Sequence, residues 1–226
     1  MDELEAIFSN RESLYAMLSR LLIREVDAEF LAALKATSFP EDAGVAELTE
    51  GYRMLSGYVK NPPENALEDL AVDYAGAILG AGHAAQTEVA CPYESFYTSP
   101  SRLLQQDSWE KMRNLCLLKG YVLNDRGLLE DHLGLELQYM GILVREGLAA
   151  IRAKDEAELR RNVGEEVTFL ETHLLNWVPS FTRDLRKFAK EPLYQATARI
   201  LDGFLPLDRE MLLSLSKPGE DAAESK

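Results

Sequence analysis

Apolar residues recur at spacings of three and four along most of the chain, the period of helices that bury one face. Leu14, Leu18, Leu21 and Leu22 set that rhythm and predict a first helix over 3–24. Asp27 is placed to cap a short second helix running through Leu34. Pro40 stands near the next helix start, and Val45, Leu48, Tyr52, Leu55 and Val59 carry the pattern on. "NPPE" at 61–64 reads as another start, with Asn61 as N-cap and Glu64 three residues later, opening a helix through about Leu79. The rhythm then breaks in "GAGHAAQTEVACPYESFY", which has glycines, a proline and no period, and is expected to be a loop.

Helix is expected again near Ser99-Pro100, with Asp107 and Glu110 supplying a cap, and "KGYVLNDRG" at 119–127 reads as a connector. Long helices are predicted from about 130 to 153 and, capped by Asp155 with Glu158, from 156 to 177. Pro179, Pro192 and Pro206 are expected to punctuate shorter helices after that. "YVLN" is the best strand candidate and is too short to build a sheet. The pattern predicts an all-α, single-domain bundle of about 8–10 helices over residues 1–216, followed by a solvated, disordered acidic tail at 217–226.

Composition narrows the function. The 226 residues carry a formal net charge of −14. That argues against nucleic-acid binding, which needs clustered Lys and Arg, and favours cationic partners. No stretch approaches the roughly 18 apolar residues of a membrane span. The acidic start "MDELEAIFSN" lacks the basic region and apolar run of a cleaved export signal. Cys91 and Cys116 form neither a CxxC pair nor a disulfide framework, so a reducing cytoplasm is expected.

The candidate chemistry is sparse. "GAGHAA" at 80–85 fits a loose dinucleotide fingerprint, but it follows a helix and no βαβ pattern surrounds it. Ser95 has no G-x-S-x-G elbow. Arg160-Arg161 lies far inside the chain on a predicted helix and reads as a solvated face. A helical di-iron site needs Glu-x-x-His pairs, and Leu129 and Leu170 occupy the positions three before His132 and His173. Asp131-His132, opening an apolar-striped helix, stands out. It could be a helix cap, a metal-ligand pair with Glu136 at i, i+4, an acid/base pair, or part of a surface that grips another chain. Leu133, Leu137, Met140, Val144 and Leu148 form the core stripe of that helix; His132, Glu136, Tyr139 and Leu143 form an adjoining face suited to an apolar peptide with a basic end.

Four ordered segments carry a family likeness: "DYAGAILGAG" at 73–82, "CPYESFY" at 91–97, "EDHLGLELQYM" at 130–140 and "THLLNWVPSF" at 172–181. Together they resemble the TorD/DmsD-type redox-enzyme maturation chaperones and, more distantly, the NarJ-type nitrate reductase chaperones. The chain departs from the pattern at Ile78-Leu79, where Leu-Phe is common, and at Leu128-Leu129-Glu130, where a proline usually precedes the Asp-His pair. The resemblance implies an all-helical cytoplasmic chaperone without enzymatic activity, cofactor or bound metal. Its partner would be the catalytic subunit of a molybdenum-cofactor oxidoreductase, held in its apo form through its twin-arginine leader until cofactor insertion is complete. The leader-binding residues it implies are Tyr93, Glu94, Ser95, Tyr97, Asp131, His132 and Glu136. Long helices joined by loops allow either a monomer or a domain-swapped dimer. The alternatives are a NarJ-like assembly factor for a non-exported client, or a helical metal- or nucleotide-dependent enzyme using Asp131, His132, Glu136 and His173.

Energetics assigns the parts of such a site. Two exposed arginine–carboxylate pairs contribute about 0–1 kcal/mol each, while micromolar affinity needs roughly 8 kcal/mol. Burying about 400 Å² of apolar leader would yield on the order of 10 kcal/mol before ordering costs. An apolar groove is therefore expected to supply affinity. Glu94, Asp131 and Glu136 are expected to select the basic end, with Asp131 capping its helix at the groove mouth and His132 holding it in place.

Overall fold

The computed structural model describes residues 2–82, 89–121 and 127–216. Ten α-helices fill them: α1 Asp2–Ile23, α2 Ala28–Ala36, α3 Ala46–Lys60, α4 Ala66–Asp73, α5 Glu94–Thr98, α6 Asp107–Lys119, α7 Leu133–Ala153, α8 Glu156–Phe169, α9 Val178–Phe188 and α10 Pro192–Ser216. Among the described residues the β-type pairing is one isolated bridge, Tyr93 to His132. The all-α expectation holds. Most of the predicted connector and all of the acidic tail lie outside the described residues.

Two helix pairs carry the core, α1 along α7 and α3 along α10. Glycine lets both approach closely. A Cβ on Gly203 of α10 would stand 2.5 Å from the Leu48 nitrogen on α3, and one on Gly134 of α7 would stand 2.5 Å from Ile23 on α1. Tyr15, Leu18, Leu21, Leu22, Leu55, Phe181 and Tyr194 are fully enclosed around these contacts. Asp73 at the end of α4 reaches across to accept the backbone N–H groups of Lys190 (2.9 and 3.0 Å) and Glu191 (2.7 Å) just before α10.

Several local expectations shift. Asp27 and Asp155 cap α2 and α8 as read, accepting from Phe30 and Glu158 backbone N–H. Asn61 instead closes α3, and the next helix begins only after Asn65, because the two prolines extend the chain before it can turn. Ser99-Pro100 lies outside any helix, and Gln106 rather than Asp107 precedes α6. Pro206 sits inside α10. The helix runs through it, the lost backbone bond being offset by the buried Leu201, Phe204, Leu205 and Leu212. Arg160 and Arg161 lie on the exposed face of α8 beside Glu156, Glu158 and Glu165, as predicted.

Two helices end in π-helical turns: Tyr74–Ile78 follows α4, and Leu170–Leu174 follows α8. Such turns widen the backbone by one residue and re-aim the side chains beyond them. The first lies within a segment that carries the family likeness and the second overlaps the start of another, and both border the site below.

Candidate functional site

The segment after Cys91 is held against the start of α7 by two backbone hydrogen bonds, Leu133 N–H to Pro92 (2.8 Å) and Glu94 N–H to Asp131 (3.0 Å). Across this bridge the rings of Tyr93 and His132 meet edge-on, 5.0 Å apart. Here the capping expectation needs correction. His132 caps α7, its Nδ1 accepting from Gly134 N–H at 3.0 Å. Asp131 caps the short α5 instead, its Oδ2 accepting from Ser95 N–H at 2.9 Å. An Asp-His pair gives two capping groups in succession, and the loop folded back over them takes the first.

Behind the bridge lies a buried polar cluster. The π-helical turn after α8 aims His173 inward, so that Nδ1 lies 2.9 Å from Glu94 Oε2. Asn176 donates to Glu94 Oε1 at 3.0 Å, and Trp177 Nε1 donates to Glu136 Oε2 at 3.2 Å. Stacked rings wall it in, Phe169 on His173 at 5.0 Å and Trp177 on Tyr97 at 5.5 Å. Burial pushes the Glu136 carboxyl well above the usual carboxylate range, with Glu94 and Asp131 adding like-charge repulsion. Burial likewise raises Asp131, against the hydrogen bonds from Ser95 that favour its charged form. It depresses His132 to about 3, so this cap is a neutral imidazole. One oxygen on each of Asp131 and Glu136 is buried with no partner.

The seven sequence-predicted residues therefore fall into three sets. Glu94, Ser95, Asp131 and Glu136 are sealed in the interior, not arrayed at a groove mouth. His132 is also buried, yet together with half-buried Tyr93 it lines an open trough of about 1030 Å³. Tyr97 is half-buried and donates to Asp184 at 3.1 Å. The helix face expected to grip a peptide, namely His132, Glu136, Tyr139 and Leu143, is covered along its length, Tyr139 packing on Phe169 at 4.8 Å. One helix's periodicity does not reveal which neighbour lies on its second face.

The trough runs between the α1–α2 junction, the π-helical turn after α4, the 89–96 segment and the 102–104 turn. Ile78, Val89 and Phe96 line it, and Leu79, Leu103 and Leu104 stand exposed around it. The sequence reading missed this wall, along with Asn176 and Trp177. The only signals were the exposed-looking charges in "REVD" at 24–27 and the fourth family segment itself. A second cleft, about 670 Å³ and bordered by Leu14, Met17, Phe30, Phe39 and Tyr52, contains none of the predicted residues.

Glu94, Glu136 and His173 each bring one ligand atom within 4.8 Å of the others, making them the metal-capable group of the described residues. It differs from the set expected on sequence, because Nδ1 of His132 is committed to its cap. The carboxylate–carboxylate–imidazole donor set suits a divalent ion, and equally a shared proton.

Comparisons with known proteins place the chain. A family model described as "Nitrate reductase delta subunit" matches residues 41–183. A protein named "Chaperone protein TorD" from Aeromonas salmonicida is 32% identical, the match covering 98% of this chain and 100% of that one. Proteins of the same name from Photobacterium profundum and Vibrio cholerae are each 28% identical, over 94% of this chain and 99% and 96% of theirs. No described helix is long and apolar enough to cross a membrane. With this family model over 41–183 and full-length relatives named as chaperones, the chain belongs to the nitrate reductase delta subunit family, as a maturation chaperone of the TorD type.

Proposed function

We propose that this chaperone is cytoplasmic and binds the twin-arginine leader of a molybdenum-cofactor oxidoreductase catalytic subunit, holding the apoenzyme back from export until its cofactor is inserted. The observation that carries the reading is the trough: a large apolar-walled groove whose floor includes Tyr93 and His132 and whose rim carries exposed leucines. Its wall suits the apolar run of about 7–15 residues in a leader, the part able to supply most of the affinity. Glu94, Asp131 and Glu136 are buried and act through the packing and hydrogen bonds that hold the Tyr93–His132 bridge, not by direct contact with a docked arginine. Two unlinked cysteines agree with a reducing compartment.

Calorimetry with a synthetic leader tests this. Asp131→Ala releases α5 and His132→Ala removes the α7 cap, so both are expected to weaken binding by severalfold. Unchanged affinity in both, with the fold intact, removes these residues from the site. The match to the nitrate reductase delta subunit model supports a second reading, an assembly factor that grips the body of its client. Capture of the full client, but not of its leader alone, would favour that version.

A further inference from the structure

We infer that Glu25, on the short link between α1 and α2, selects the basic pair of the docked peptide. This assignment rests on the leader reading above. The trough is lined by two carboxylates, Glu25 and Asp27, and two guanidiniums, Arg24 and Arg102. Three of these four charges are already engaged. Asp27 lies 2.7 Å from Arg20 and 3.4 Å from Arg24, and its other oxygen caps α2. Arg102 sits 4.3 Å over the Phe96 ring and 3.9 Å from Asp184. Glu25 is exposed, and among the described residues its carboxylate has no hydrogen-bond or ion-pair partner; its backbone carbonyl accepts from Arg20 at 3.0 Å.

An unpaired anion beside an apolar wall is complementary to a peptide that joins a cation to an apolar run. Among the described residues the arginines around the trough, Arg20, Arg24 and Arg102, are committed elsewhere, so the matching cation is the partner's. A guanidinium meeting Glu25 removes no internal contact, so the pair forms without breaking anything. Its partner is Arg by preference, since a carboxylate takes the planar fork through two hydrogen bonds. A second guanidinium then meets Asp27 by displacing the half-exposed Arg24. Affinity thus comes from the leucine-rimmed wall, and discrimination between basic and neutral leaders comes from this link.

The test uses the full chain and two synthetic leaders, one with Arg-Arg before its apolar run and one with Gln-Gln, read by fluorescence anisotropy. Glu25→Gln is expected to weaken binding of the Arg-Arg leader about fivefold and Glu25→Lys about tenfold, at the upper end for a partly desolvated pair. Glu29→Gln, an equal change in net charge at an exposed α2 position outside the trough lining, is expected to leave affinity unchanged. Wild type should prefer Arg-Arg over Gln-Gln, and Glu25→Gln should lose most of that preference. Wild-type affinity in Glu25→Gln, or equal weakening in Glu25→Gln and Glu29→Gln, overturns the assignment and leaves the leader reading standing. No binding of the Arg-Arg leader to wild type overturns both.

Discussion

Arg11 on α1 sits at the centre of one buried ionic cluster. It reaches Asp208 on α10 through Nε (2.5 Å) and Nη2 (2.9 Å), and also pairs with Glu166 on α8, while Tyr15 donates to Asp208 at 2.7 Å. The second cluster, around Glu94, Asp131 and Glu136, contains no Lys or Arg among the described residues; its donors are an imidazole, an amide, an indole and a backbone N–H. The first is a permanent clasp between three helices. The second leaves most of its negative charge without a fixed counterion, next in the chain to the trough-lining Tyr93 and His132. Low-dielectric surroundings make that costly, and burial raises the Asp131 and Glu136 carboxyls accordingly. Even in the first cluster burial outweighs the attraction of Arg11 and lifts Glu166 to about 7. The contrast separates a region built to hold from one whose balance a cation can change.

The largest effect should come from breaking the clasp. Arg11→Met strands two buried carboxylates and is expected to cost about 3–5 kcal/mol in urea unfolding. His173→Gln, which keeps a hydrogen-bonding group near Glu94, should cost about 1–3 kcal/mol. Equal losses would erase the distinction between the clusters.

A pH experiment sharpens it. His132 has its pKa depressed from 6.5 to about 3, so its share of stability is complete above pH 6.5 and is lost as pH falls toward 3. His132→Asn keeps a cap and does not titrate; its unfolding free energy should decline less over that window, by about 3 kcal/mol. Glu136 runs the other way. Its raised pKa makes the native protein hold a proton that the unfolded chain has released, so stability is complete below the ordinary carboxylate range and falls as pH rises through the raised value. Glu136→Gln should therefore gain on wild type as pH rises above the ordinary carboxylate range, in paired melting curves. An identical pH profile for the two proteins would mean that Glu136 stays charged beside some other cation. A stoichiometric metal in the purified protein, lost in His173→Gln, would identify that cation and favour the metal-dependent alternative.

The smallest effect is expected from Asp131→Ala, about 1 kcal/mol, the usual worth of a cap. It should appear as faster hydrogen exchange in α5 while α7 keeps its protection, since α7 has its own cap in His132.

How far the sequence led depends on which interactions were local. Helices with a one-sided apolar stripe were legible, α1 and α7 most clearly, because periodicity within one segment decides them. Asp27 and Asp155 were legible as caps for the same reason. Asn61 was misread because two prolines make a helix start and a helix exit look alike in letters. The fate of Asp131 was out of reach because its acceptor role is fixed by Ser95, which lies 36 residues away. Glu136 read as part of a gripping face, and only the packing of Phe169, His173 and Trp177 buries it. Glu25 went unremarked because a charged link between two helices is normally just solvated.

The two π-helical turns have a consequence for how this family can vary. Each amounts to one additional residue threaded into an otherwise regular coil. Excising a single residue near Leu170 would restore ordinary winding and swing everything downstream by about 100°. The Trp177 indole would leave both Glu136 and Tyr97, and the imidazole at 173 would turn outward. Insertions and deletions are thus far less tolerable at that bend than in the surface connectors, however unremarkable its letters look.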